Sequence, residues 1–238
     1  MTHPTCRNGE EVAALSSLQT LFDQRQLWRA RDSSADSVQA LSSGWPRLDR
    51  ELHGAGWPMA SMTELLCREP VLAWRLLQPA LVRLSQQQRL LIWVGHSKQP
   101  YAPAWLSAGL NLSRCLLLRA GDEEALWAAE QALRLAKGGA VILQTARVKP
   151  ERLRRLQLAA QAGNSFAFLL RPLSVQREST PACLRLSLMP ASGGMRITLN
   201  KRRGGVALAP FLLPWVSDVP RLLLKKTATQ FLPLLRGG

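Results

Sequence analysis

Apolar and polar positions follow two different periods along this chain, and the change falls near Pro181. Before it, short apolar runs at Met62–Leu66, Leu90–Val94, Arg114–Leu118, Ala140–Leu143 and Ser165–Leu170 read as core strands. The stretches between them, Trp74–Leu84, Ala104–Ala108, Asp122–Leu135 and Pro150–Ala162, carry the spacing of helices. The third opens on acids that suit a helix N-terminus, and the fourth opens on proline. Strands alternating with helices predict a mostly parallel sheet covered on both faces. Beyond Pro181 the period is two: Leu184, Leu186 and Leu188, then Met195, Ile197 and Leu199, predict an antiparallel hairpin turning at Ser192-Gly193-Gly194.

Both flanks differ from this core. Glu10–Gln26 reads as a helix with Val12, Leu15, Leu18, Leu21 and Phe22 on one face. A short strand at Leu27–Arg31 and a linker at Asp32–Ser37 follow. The expected organisation is an arm and linker at 1–37, a core at 38–213, and a basic, apolar tail at 214–238. The arm is too small to bury its own apolar face, so Leu21 and Phe22 pack either on this chain or on another. The tail places Leu223, Leu224, Phe231 and Leu232 among basic residues; it binds a partner's groove or packs on its own core.

Composition narrows the class. Of 238 residues, 47% are hydrophobic and 20% charged, which is globular rather than disordered. No apolar run approaches the ~20 residues of a membrane span. The first residues lack a secretory pattern, and four scattered cysteines show neither zinc spacing nor a disulfide framework. The expectation is a cytoplasmic protein with no metal or cofactor. The charge is uneven: residues 1–146 hold 15 basic and 13 acidic side chains, residues 147–238 hold 16 and 3. Such a field attracts polyanions or an acidic protein surface. Arg147, Lys149, Arg152, Arg154 and Arg155 at the start of one helix, and Lys201, Arg202 and Arg203 at a strand end, are the candidate DNA contacts. Partner binding, a solvated helix and a charged sheet edge are the alternatives. His96 reads as a loop histidine. The eight tryptophans read as core or interface, with Trp45 and Trp57 expected exposed beside turns.

A longer pattern carries a resemblance. Leu41-Ser42-Ser43-Gly44, Leu48-Asp49, Gly54-Ala55-Gly56-Trp57-Pro58-Met59 and the strand Thr63-Glu64-Leu65-Leu66 resemble the start of a RecA-type core. Similarity continues at Pro100-Tyr101-Ala102, Ala108-Gly109-Leu110, Leu199-Asn200-Lys201 and Ala209-Pro210-Phe211. The resemblance implies a RecA-like fold, with its ATPase parts missing. A phosphate-binding loop needs glycines and a terminal Gly-Lys-Ser/Thr. Cys67-Arg68-Glu69-Pro70-Val71-Leu72-Ala73-Trp74-Arg75 offers none of these. The strand that should end in a magnesium-linked aspartate ends Gln144-Thr145, and the catalytic glutamate expected after Leu90–Val94 falls at Gly95-His96. The chain is therefore expected not to be an enzyme.

Leu126-Trp127-Ala128-Ala129-Glu130-Gln131-Ala132-Leu133, Gly163-Asn164-Ser165-Phe166-Ala167-Phe168 and Lys201-Arg202-Arg203-Gly204-Gly205 are similar to the ImuA family. That likeness implies a scaffold of damage-induced translesion synthesis and mutagenesis, in the cytoplasm and associated with the nucleoid. Its implied partners are an ImuB-like Y-family protein and an error-prone DnaE-type polymerase, with RecA and DNA as further contacts. The division inhibitor SulA, which blocks FtsZ polymerisation, is the competing resemblance, carried by Leu91-Ile92-Trp93-Val94, Gly163-Asn164 and Leu170-Arg171-Pro172. A residual enzyme with an unorthodox nucleotide site is the third class.

Overall fold

The computed structural model describes residues 39–52, 56–95, 102–202 and 209–215. Leu21, Phe22, Arg203, Leu223, Leu224, Phe231 and Leu232, and the expected arm helix, lie outside the described residues. A small pair, β1 (Ala40–Leu41) and β2 (Trp57–Pro58), brackets helix α1 (Pro46–Glu51). The chain continues through β3 (Ser61–Cys67), α2 (Pro70–Gln86), β4 (Leu91–Val94), α3 (Ala102–Ser107), β5 (Cys115–Leu118) and α4 (Asp122–Leu135). It then forms β6 (Ala140–Gln144), α5 (Pro150–Ala162), β7 (Phe166–Arg171), β8 (Leu184–Ala191), β9 (Gly194–Lys201) and β10 (Phe211–Pro214).

The last eight strands make one sheet in the order β10-β9-β8-β3-β7-β6-β4-β5. From β5 to β8 the neighbours are parallel, while β9 and β10 run antiparallel. This is the expected mixed α/β sheet with its terminal hairpin. β3 sits inside the sheet with helices on both faces, so all seven of its residues are buried. On one face, Leu76, Leu77 and Leu81 of α2 pack with Leu65, Phe168 and Leu186. On the other, Leu126 and Leu133 of α4 and Leu153 and Leu156 of α5 pack with Met62, Val141 and Leu169. Each fully buried leucine stabilises the fold by roughly 1.5–3 kcal/mol.

Three expectations need correction. α2 begins at Pro70, four residues early, because proline at the first helical position has its backbone angle preset and no needed N–H. β10 is not predicted, since three residues between prolines give little pattern. It is held partly by cations over rings: the Arg47 guanidinium lies 5.2 Å from the Phe211 ring and that of Arg75 4.7 Å from the Trp215 ring. Trp45 and Trp57 are buried, not exposed. Trp45 Nε1 donates to the Leu76 carbonyl at 3.0 Å, and Trp57 meets Phe168 edge-on with ring centres 5.5 Å apart. Turn residues near these tryptophans described the backbone and said nothing of where the indoles go. Among the described residues the exposed indole is Trp127, at 57%.

The C-terminal ends of α4 and α5 are joined closely. Ser165 Oγ donates to the Leu133 carbonyl at 2.9 Å, and the Gly138 amide donates to the Asn164 carbonyl at 3.0 Å. A Cβ on Gly163 would overlap the Leu133 carbonyl oxygen. Gly163→Ala should therefore destabilise the protein by about 1–3 kcal/mol, read as a lower Tm. Gly193→Asn, in the hairpin turn with open space and a φ of 70°, should change the Tm little.

Candidate functional site

An acid at the centre of the sheet organises the ends of its strands. Glu64 of β3 lies opposite Arg185 of β8, and Arg171 of β7 lies opposite Leu66, two residues further on. Residues two apart share a face, so both arginines reach the same carboxylate. Arg185 Nε donates to Glu64 Oε2 at 2.6 Å and Arg171 Nη1 to Oε1 at 3.4 Å. The side chains of Glu64 and Arg171 have no exposure, and Arg185 has 5%. Arg171 Nη2 also reaches Glu178 at 2.8 Å and the Ala146 carbonyl at 3.3 Å. Arg185 donates to the carbonyls of Val175, Gln176 and Glu178. The 3₁₀ turn Leu173–Arg177 is thereby fastened beside the sheet.

Next to this network, at the C-terminal ends of β3, β6 and β7, is a cleft of about 350 Å³. Cys67, Arg68, Pro70, Asp122, Thr145 and Arg171 are among its lining residues. Only Arg68 and Glu69 connect β3 to α2, so no loop exists there to surround a phosphate with amides. Thr145 Oγ1 and Arg171 Nε are buried without a hydrogen-bond partner. Burial pushes the Cys67 thiol up to about 11, with the Ala73 amide acting against this and Glu69 adding to it. Cys67 is accordingly a neutral thiol at physiological pH.

The far edge of the sheet is different in character. On β5, Leu116, Leu117 and Leu118 are 49%, 38% and 37% exposed, and nothing among the described residues pairs with its outer side. Behind it Trp74, Trp93 and Trp105 cluster with ring centres 5.1–5.7 Å apart. Leu106 of α3 is exposed beside Trp105, and Arg114 and Arg119 flank the strand.

The predicted basic residues differ in their surroundings. Arg152 pairs with Glu123 at 3.0 Å and Arg155 with Glu130 at 2.8 Å, joining α5 to α4. Arg147, Lys149 and Arg154 are exposed. Lys201 Nζ donates to the Thr180 carbonyl at 2.7 Å, and Arg202 Nη1 to that of Glu51 at 2.6 Å. β10 pairs with the Gly194–Ile197 half of β9, and Lys201 lies beyond that register. Sequence reading missed the Glu64 network. Its available signal was a single acid in an otherwise uncharged strand, with single arginines in two later, otherwise uncharged strands.

Sheet, cleft and edge together define an α/β protein whose first long strand joins the next helix through two residues. The family model for cell division inhibitor SulA matches residues 60–167, from just before β3 into β7. The cell division inhibitor SulA of Yersinia pestis (strain Pestoides F) is 30% identical over 122 residues, covering 50% of this chain and 71% of that protein. The cell division inhibitor SulA of Edwardsiella piscicida is 35% identical over 107 residues, covering 44% and 62%. The chain belongs to the SulA family.

This corrects the reading as an ImuA-like scaffold of translesion synthesis, DNA repair and mutagenesis. The ImuB-like protein, the DnaE-type polymerase, RecA and DNA are withdrawn with it as partners, because the matches fall on a division inhibitor. Physically, part of the basic helix that suggested DNA is engaged by the acids of α4. No helix among the described residues is long and apolar enough to cross a membrane.

Two outcomes follow from these ion pairs. Glu64→Ala leaves two buried guanidiniums short of charge and should cost roughly 3–5 kcal/mol in denaturant unfolding. Burial raises the Glu130 carboxyl, but hydrogen bonds and charge from Arg155 and Arg134 outweigh it, and its net shift is downward. Its stabilising effect is therefore present above the ordinary carboxylate range and lost as pH falls through its folded value. Glu130→Gln should lower the Tm at neutral pH, and the gap to wild type should close in acid.

Proposed function

We propose that this protein is a cell-division inhibitor that binds FtsZ, blocks its polymerisation and catalyses nothing itself. The relatives named above are cell division inhibitors, and the observation that carries the mechanism is the β5 edge. That strand lies within the matched residues and presents three exposed leucines beside an unpaired backbone. An unpaired edge offers N–H and C=O groups to an incoming chain, and its leucines offer apolar contact. Arg114 and Arg119 add positive charge, which suits an acidic partner surface.

The absence of catalysis rests on the two-residue junction at Arg68-Glu69 and on Pro70, which removes one more amide. A RecA-type ancestry for the core belongs to the same proposal, supported by the resemblance of the segments leading into β3. So does action in the cytoplasm.

Expression in dividing bacteria should give filamentous cells. The Leu116→Lys/Leu118→Lys double variant should divide normally, keep the wild-type Tm, and bind FtsZ at least about tenfold more weakly. Filaments produced equally by the variant would remove the β5 edge from the mechanism. Mg-ATP should leave the melting temperature of the wild type unchanged; a clear rise would show a nucleotide site.

A further inference from the structure

We propose that the cleft at the C-terminal ends of β3, β6 and β7 is a binding site for a carboxylate group. It is lined by two residues whose buried polar atoms no protein group satisfies, Thr145 Oγ1 and Arg171 Nε. Both residues are more than nine-tenths buried, and an unmet donor in such a place costs stability unless something enters to accept from it. Arg68, exposed and on the cleft wall, supplies a further guanidinium. The N-terminus of the 17-residue helix α2 contributes a partial positive charge at Pro70.

The donor set favours a carboxylate over a phosphate. A phosphate takes several amides at once, and the Arg68-Glu69 junction with proline behind it has none to arrange. Asp122 on the wall and Glu69 at the junction weigh against a dianion. Glu64 and Glu178 already neutralise much of the charge of Arg171. What is left is one guanidinium N–H, one hydroxyl and the fork of Arg68, which suit a planar group with two acceptor oxygens and a single charge. A free small acid and an aspartate or glutamate side chain of a bound protein present the same chemistry. The inference does not depend on FtsZ binding.

The test is titration of the full chain, followed by amide NMR and thermal melting, at constant ionic strength. Acetate probes a free acid, a short aspartate-containing peptide probes a protein-borne one, and chloride and inorganic phosphate serve as comparisons. Acetate or the peptide should shift the Thr145 and Ala146 amides and raise the Tm, whereas chloride and phosphate should not. Thr145→Val should weaken that binding about tenfold while leaving the ligand-free Tm equal or higher, since it removes an unsatisfied hydroxyl. Arg68→Gln, an exposed change, should also weaken it. A response to acetate and the peptide no larger than to chloride would mean that water alone fills the cleft, and would overturn the proposal. Binding unaltered in Thr145→Val, or a stronger response to phosphate, would overturn it too. Which of the two carboxylates responds identifies the source.

Discussion

A carboxylate in the middle of an apolar sheet has to be neutralised where it stands, and much of this molecule is arranged around that requirement. Glu64 is fully buried on β3 and takes its countercharges from the strands on either side, Arg171 on β7 and Arg185 on β8. A slip of one residue in either strand would turn a guanidinium into the opposite, leucine-lined face. The ion pairs therefore specify register more than they add net stability, because desolvation offsets much of their attraction. They also hold the 173–178 turn through its carbonyls, where the chain crosses from β7 past β3 to β8. The strand-end cleft owes its walls to the same contacts.

With the centre fixed, the two ends of the sheet are treated differently. β10 closes one end with four residues, a terminal proline, and arginines stacked on Phe211 and Trp215. Such an edge discourages further pairing. β5 closes the other with no comparable protection among the described residues, and its leucines stay partly in water. A stack of three tryptophans stiffens the support behind it. Rigid backing beneath an exposed apolar strand is a sound basis for protein recognition, since little ordering remains to be done on binding.

Much of the architecture was legible in the chain. Each strand of the parallel series announced itself as an apolar run, and the hairpin as alternation about Gly193. What escaped were features that depend on distant partners. Nothing local to Trp45 says that its indole will meet the Leu76 carbonyl, and nothing near Phe211 says that Arg47 will cover it. Glu64 looked like one charged letter within a strand, because its arginines lie more than a hundred residues away. The basic helix shows the same limit: the acids engaging Arg152 and Arg155 belong to α4, and net charge by segment ignores what folding brings together. The family was legible only in part, since Gly163-Asn164 belongs to both the ImuA and the SulA resemblance.

The most direct test is sedimentation of FtsZ polymers in the presence of increasing amounts of this protein. The account predicts that pelleted FtsZ falls as the protein approaches a one-to-one ratio. Pelleted FtsZ that stays constant at excess protein, with no complex in the supernatant, would contradict it.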